Sequence, residues 1–217
     1  MSYRLTLAET EACLRKAARA CGLDWGIAEE AGKAARWLAA FDLPGPEKML
    51  SHLQNLAHKD YSGFIPNCDL QPWKASGGLL CPIVSGAALA DRSALLLEGR
   101  PVKLGRIAWP LLLAPALGMA ARHHQTAFTI CWAGLRMDCY GDGISIDGNR
   151  ENLLLPEVAS VCCCHEEPSR PQQRASTLAY EIDEKIFRKI DELAFRTYVP
   201  ASEESRAGAG AGLTDND

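Results

Sequence analysis

The chain has 217 residues and a mass of 23.6 kDa, enough for one sizeable core or two small ones. Its 47% hydrophobic and 23% charged residues are ordinary globular values and exclude a collagen-like, coiled-coil or wholly disordered chain. A formal charge of −4 and a pI of about 5.8 leave it without the general cationic field of a non-specific nucleic-acid binder.

The opening residues hold no apolar core of signal-peptide length and meet acidic residues at once, so a cytoplasmic protein is expected. Thr6 with Glu9 three residues later reads as a capping box for a helix from Leu7 to Ala20, with Gly22 as its stop. Asp24 is placed to cap a second helix, in which Ile27, Ala31, Ala34, Ala35 and Leu38 recur at helical spacing up to Phe41. Pro46 suits the first turn of a third helix ending near Ala57. Residues His58 to Gly78, interrupted by Gly63, Pro66, Pro72, Gly77 and Gly78, read as a long irregular segment of the kind that often carries function.

Leu79 to Val84 reads as a short strand, followed by Ser85-Gly86 and a helix from Ala87 to Leu97. Strands are expected at Val102 to Leu104, Arg106 to Leu113, Ala127 to Ala133, Leu135 to Tyr140 and Ile144 to Asp147. Asp142-Gly143 is the strongest turn signal, with Gly143 expected at positive φ. The apolar run from Ile107 to Ala121 is broken by Pro110, Pro115 and Gly118 and falls short of the roughly 20 residues of a spanning helix; no membrane is expected as a partner. The alanine-rich stretch from Ala114 to Gln125 fits more than one element type. A final helix is expected from Ser176 to Thr197 on the stripe Leu178, Ile182, Ile186, Ile190 and Leu193. Antiparallel strands between helical ends predict an α+β fold, with N-terminal helices and a C-terminal helix packed on an antiparallel sheet. The division is a single domain over 1–197 and a Gly-rich tail over 198–217.

Nine cysteines, an odd number without secretory context, read as reduced thiols. The cluster Cys162-Cys163-Cys164-His165 follows a strand-like run, and alternation sends Cys162 and Cys164 to one face and Cys163 and His165 to the other. That arrangement lacks zinc-knuckle spacing, so no metal site is expected.

Candidate chemistry is spread along the chain. Ser85 and Gly86, between a strand and a helix, could hold an anion on free backbone N–H groups, although an ordinary Ser cap explains them too. The segment lacks the dinucleotide, phosphate-loop and nucleophile-elbow fingerprints, and no cofactor is assigned. His52 titrates near neutrality and is a candidate acid or base. Trp73, in the long loop, could line a ligand pocket. In the tail, Tyr198 and Glu203 could move protons, Ser205 and Arg206 could bind a carboxylate, and the glycines that follow could bend over it.

The run Arg196 to Asp217, together with Glu29 to Leu38, Gly78 to Pro82 and Ser85 to Arg92, resembles an uncharacterised bacterial domain-of-unknown-function family. That resemblance implies that the tail belongs to a family signature. Residues 6 to 53, with Leu38 to Gly45 and Ser51-His52, are similar to the N-terminal helical region of the malate and lactate dehydrogenase type 2 family, which implies a nicotinamide cofactor; the Ser-His-Gly expected there reads Ser51-His52-Leu53. Two functions stand side by side. One is a small cytoplasmic enzyme of amino- or hydroxy-acid catabolism acting on a small anionic metabolite. The other is a non-catalytic accessory subunit whose tail docks into a partner enzyme, and a homo-oligomer is compatible with either.

Overall fold

The structure, a computed structural model, describes residues 2–57, 59–166, 173–175 and 177–197. Among these the chain begins with β1 (Ser2–Thr6), α1 (Leu7–Ala20), α2 (Trp25–Ala40) and α3 (Gly45–Leu56). Short strands β2 (Pro66–Asn67) and β3 (Lys74–Ala75) follow, then α4 (Pro82–Asp91), α5 (Ser93–Leu97), β4 (Val102–Leu104), β5 (Ile107–Ala108) and α6 (Ala114–His124). The remainder is β6 (Phe128–Trp132), β7 (Leu135–Cys139), β8 (Gly143–Asp147), β9 (Glu157–Val158), β10 (Val161–Cys164), β11 (Gln173–Arg174), β12 (Ala179–Asp183) and α7 (Glu184–Phe195). Helices and antiparallel sheets together make the expected α+β fold.

The first helix starts where its residues dictate. The Thr6 hydroxyl accepts the Glu9 N–H at 3.2 Å, and the Glu9 carboxylate accepts the Thr6 N–H at 2.8 Å, a reciprocal pairing that satisfies two otherwise orphaned donors. Asp24 precedes α2 but makes no side-chain cap hydrogen bond. Where α1 and α2 pack, Gly32 brings the backbones together: a Cβ there would stand 2.6 Å from the Glu11 carbonyl oxygen.

Among the described residues, six strands form the main sheet in the order β11-β8-β7-β6-β10-β4, all neighbours antiparallel. Its register aligns Val102, Cys163, Ile130, Met137 and Ile146 in one cross-strand row, and Lys103, Cys162, Cys131, Arg136 and Asp147 in the next. Alternation puts these rows on opposite faces. The first row belongs to the apolar core and is backed by α6; the second row carries the charged and thiol side chains. The expected alternation of Cys162, Cys163 and Cys164 is therefore realised, with Cys163 fully buried.

Four expectations need correction. The run from Leu79 contributes only a bridge between Leu80 and Ile107, because Pro82 already opens α4 and proline favours a first helical turn. The expected strand from Arg106 stops at Ala108, where Trp109 takes a left-handed conformation and Pro110 begins a 3₁₀ turn leading into α6. The last helix starts eight residues late: Ala179 to Asp183 is instead strand β12, paired antiparallel with β1, with Tyr180 and Ile182 buried and Leu178 exposed. Cross-strand pairing with residues 2 to 6 overrides the helical spacing of the apolar positions.

The fourth correction concerns the turns. Gly143 does not adopt positive φ; it opens β8, and its carbonyl accepts the Tyr140 N–H at 2.8 Å across Gly141 and Asp142. The left-handed two-residue turn lies one hairpin earlier, at Ala133 (φ 46°) and Gly134 (φ 75°) between β6 and β7. Positive φ at both positions matches the twist of the flanking strands. Replacing Gly134 by Val is expected to cost on the order of 2 kcal/mol, whereas Ala133→Asn should be neutral or slightly stabilising, because Asn tolerates this conformation. Equal melting temperatures for wild type and Gly134→Val would refute that turn geometry.

A cationic cleft as candidate functional site

Where β4, β10, β6 and β7 run side by side, the face opposite the core borders a cleft of about 780 Å³. Its chemistry comes from Lys74, Lys103, Arg106, Arg136, Cys131 and Cys162, and among the described residues no acidic one lines it. Strand β3 is held alongside β4 by two backbone hydrogen bonds, from Trp73 N–H to Lys103 carbonyl and from Gly105 N–H to Trp73 carbonyl, each 2.8 Å. This parallel bridge turns Trp73 and Leu104 inward and leaves Lys74 and Lys103 outward. Gly105 keeps the approach open, since a Cβ there would lie 3.2 Å from the Trp73 oxygen and 3.4 Å from Lys74 Cγ.

The four cations are not equivalent. Arg106 is held by Glu157 through two side-chain contacts, the second of them 2.9 Å between Nη2 and Oε2. Arg136 sits 2.9 Å from Asp138 through Nε and 2.7 Å from Glu166 through Nη1. Asp138, almost fully buried, also accepts the hydroxyls of Thr129 at 2.7 Å and Ser145 at 3.1 Å. This network locks the Arg136 fork against the sheet. Lys74 and Lys103, by contrast, have no acidic partner among the described residues. Two lysine ammonium groups on long stems beside two fixed guanidinium groups make a site suited to an anion.

The thiols differ in the same graded way. Burial pushes the Cys131 thiol up, with Arg136 pulling in the opposite direction. Cys164, two residues along from Cys162, is pushed up to about 12 by burial and by Glu166, while Cys163 points into the core. A larger hollow of about 890 Å³ beside Arg122, Tyr140, Asp142 and Glu166 mixes charges of both signs, so it offers an anion less than the cleft does.

The residues singled out from the sequence fall elsewhere. Ser85 and Gly86 lie inside α4, with the Ser85 N–H bonded to the Cys81 carbonyl and Gly86 packed toward the Ala116 methyl. The expected strand-to-helix anion cradle is therefore absent there. Trp73 is core, with the Arg92 guanidinium 5.9 Å from its ring centre; only its neighbours Pro72 and Lys74 reach the cleft. Tyr198, Glu203, Ser205 and Arg206, like the whole tail over 198–217 and His58, lie outside the described residues.

His52 is buried on α3 in a cluster of its own. Its Nε2 lies 3.2 Å from the Cys81 sulfur, which also accepts the Tyr61 hydroxyl at 3.4 Å. Burial pushes the imidazole down to about 3 and the thiol up, so both are neutral at neutral pH, whereas from the sequence alone His52 is expected to titrate near neutrality. His52 Nδ1 and the Ser85 hydroxyl, one turn beyond Cys81, have no hydrogen-bond partner among the described residues.

The class defined by these features is an α+β protein with a cationic, thiol-bearing cleft. The family model described as "Protein of unknown function (DUF3726)" matches residues 5–81, from the end of β1 to Cys81, so an uncharacterised family does match the N-terminal part of the chain. The match includes Lys74 but ends before the main sheet. No curated protein matches the chain, and no solved structure does. Among the described residues no helix is long and apolar enough to cross a membrane.

Proposed function

We propose that the protein is a small cytoplasmic enzyme of small-molecule metabolism that takes an anionic metabolite, of the amino- or hydroxy-acid class, into the cleft between β3, β4, β10 and β6. The convergence of Lys74 and Lys103, both without acidic partners among the described residues, on a groove that already holds Arg106 and Arg136 carries this reading. Carboxylates are the natural complement, since the two lysines on long stems adapt to their position. The family signature read in the tail, and carboxylate binding by Arg206, belong to the same proposal.

Binding is tested by thermal shift with a series of mono- and dicarboxylates at low and moderate salt. A dicarboxylate should stabilise the protein more than a monocarboxylate, and less at higher ionic strength. The Lys74→Ala/Lys103→Ala double variant should weaken that binding about tenfold, equivalent to about 1.4 kcal/mol, consistent with two partly exposed ion pairs. Unaltered affinity in the double variant would remove the cleft as the binding site.

A further inference from the structure

The cross-strand row on the cleft face reads Lys103, Cys162, Cys131, Arg136, one residue from each of β4, β10, β6 and β7. Cys162 and Cys131 are direct register partners, and each has a cation as its partner on the other side. We infer that Cys131 and Cys162 form a redox-active dithiol that reduces a small anionic disulfide bound in the cleft. This rests on the cleft reading above and names its substrate class.

Three observations carry the inference. Directly opposed residues of antiparallel strands have Cα atoms about 4.5–5.5 Å apart, within the roughly 4.4–6.8 Å that a disulfide spans, and both side chains leave the sheet on the same face. Both thiols are free and half-buried, and both line the cleft. The other cysteines of the sheet are set apart: Cys163 and Cys139 are buried on the core face, and Cys164 lies against Glu166, whose charge opposes its ionisation.

The charges also assign the order of events. Lys103, the register partner of Cys162, has no acidic partner among the described residues and is placed to hold the anionic disulfide next to Cys162, whereas Arg136 beside Cys131 is already shared between Asp138 and Glu166. Cys162 is therefore the attacking group. Cys162 gives its proton to solvent and its sulfur bonds to one sulfur of the disulfide; the ligand's S–S bond breaks, and the other half leaves as a thiolate that takes a proton from solvent. Cys131 then gives its proton to solvent and attacks the Cys162 sulfur, expelling the second half in the same way. The net change is two-electron oxidation of the cysteine pair to a disulfide and reduction of the ligand to two thiols.

The full-length protein is incubated with oxidised glutathione as the anionic probe and hydroxyethyl disulfide as the uncharged one, and the products are followed by intact-mass and peptide mass spectrometry. Wild type should give a Cys131–Cys162 linked peptide. Cys131→Ser should stop at a mixed disulfide on Cys162, Cys162→Ser should give neither product, and Cys164→Ser should behave as wild type. Lys103→Ala should slow the anionic probe roughly tenfold relative to the uncharged one, as loss of electrostatic attraction predicts. Unreactive thiols, a disulfide involving other cysteines, or no dependence on probe charge and Lys103 would each overturn the inference. The dicarboxylate thermal shift separates the two failures: dicarboxylate binding with unreactive thiols sinks only the dithiol, whereas no dicarboxylate binding sinks the cleft reading itself.

Discussion

Lowering the pH from 7 to 4 is expected to destabilise the protein by about 3 kcal/mol through His52 alone. The sign follows from its burial: the folded imidazole resists protonation until about pH 3, while the unfolded one takes a proton near the ordinary histidine value of 6.5. Above that value both states are neutral and His52 contributes no pH dependence. Between the two values only the unfolded chain binds the proton, so the penalty on folding grows as the pH falls. Glu47 works in the other direction, because burial raises its carboxyl despite the Tyr180 hydroxyl bound to it, and its protonation favours the folded state at low pH. The decisive measurement is therefore a comparison of urea unfolding for wild type and His52→Gln at several pH values. Wild type should lose stability relative to the variant as the pH drops; a constant difference would show that His52 is not a buried neutral imidazole.

Gly32→Ala is expected to destabilise the protein by about 2 kcal/mol, although alanine is the better helix former by about 1 kcal/mol. The added methyl would meet the Glu11 carbonyl oxygen at 2.6 Å and Arg15 Cβ at 3.1 Å. A backbone oxygen cannot swing aside as a side-chain end does, so relief requires separating α1 from α2 and loosening their shared core, and overpacking of this kind costs about 1–3 kcal/mol or more. At Gly26, in the first turn of the same helix, an added Cβ would meet nothing within 4 Å among the described residues. Gly26→Ala should therefore be neutral or stabilising by a few tenths of a kcal/mol. Chemical denaturation of the pair tests the idea, and equal stability for both variants would refute the close approach.

The parts legible in the sequence are those fixed by neighbours in the chain. Thr6 and Glu9 sit three apart and cap each other, and the small residues of α2 repeat at the period of the turn they build. The alternation of Cys162, Cys163 and Cys164 needs only the knowledge that they form a strand. What escaped depends on partners far away. Residues 2–6 look unstructured until residues 179–183 pair with them, and the helical spacing of Leu178, Ile182 and Ile186 misleads because that pairing decides the conformation. The cleft was invisible for the same reason. Lys74, Lys103, Cys131, Arg136 and Cys162 stand in five separate strands, and only the register of β4, β10, β6 and β7, with the bridge from Trp73 to Leu104, makes them neighbours. The available hint was the outward alternation of Cys131 and Cys162, which a pairing of their two strands would have joined.

The union of β1 with β12 bears on how the chain reaches this state during synthesis. Ser2 cannot meet Asp183 until the intervening chain has been made, which at typical elongation rates takes roughly 10–35 s. Throughout that interval the first strand has no partner, although α1 behind it can already form and pack on α2. Closing so long a loop is entropically costly and belongs late in folding. Nascent chains arrested before residue 179 should accordingly present residues 2–6 to chaperones and proteases, and release of the last strand should withdraw them.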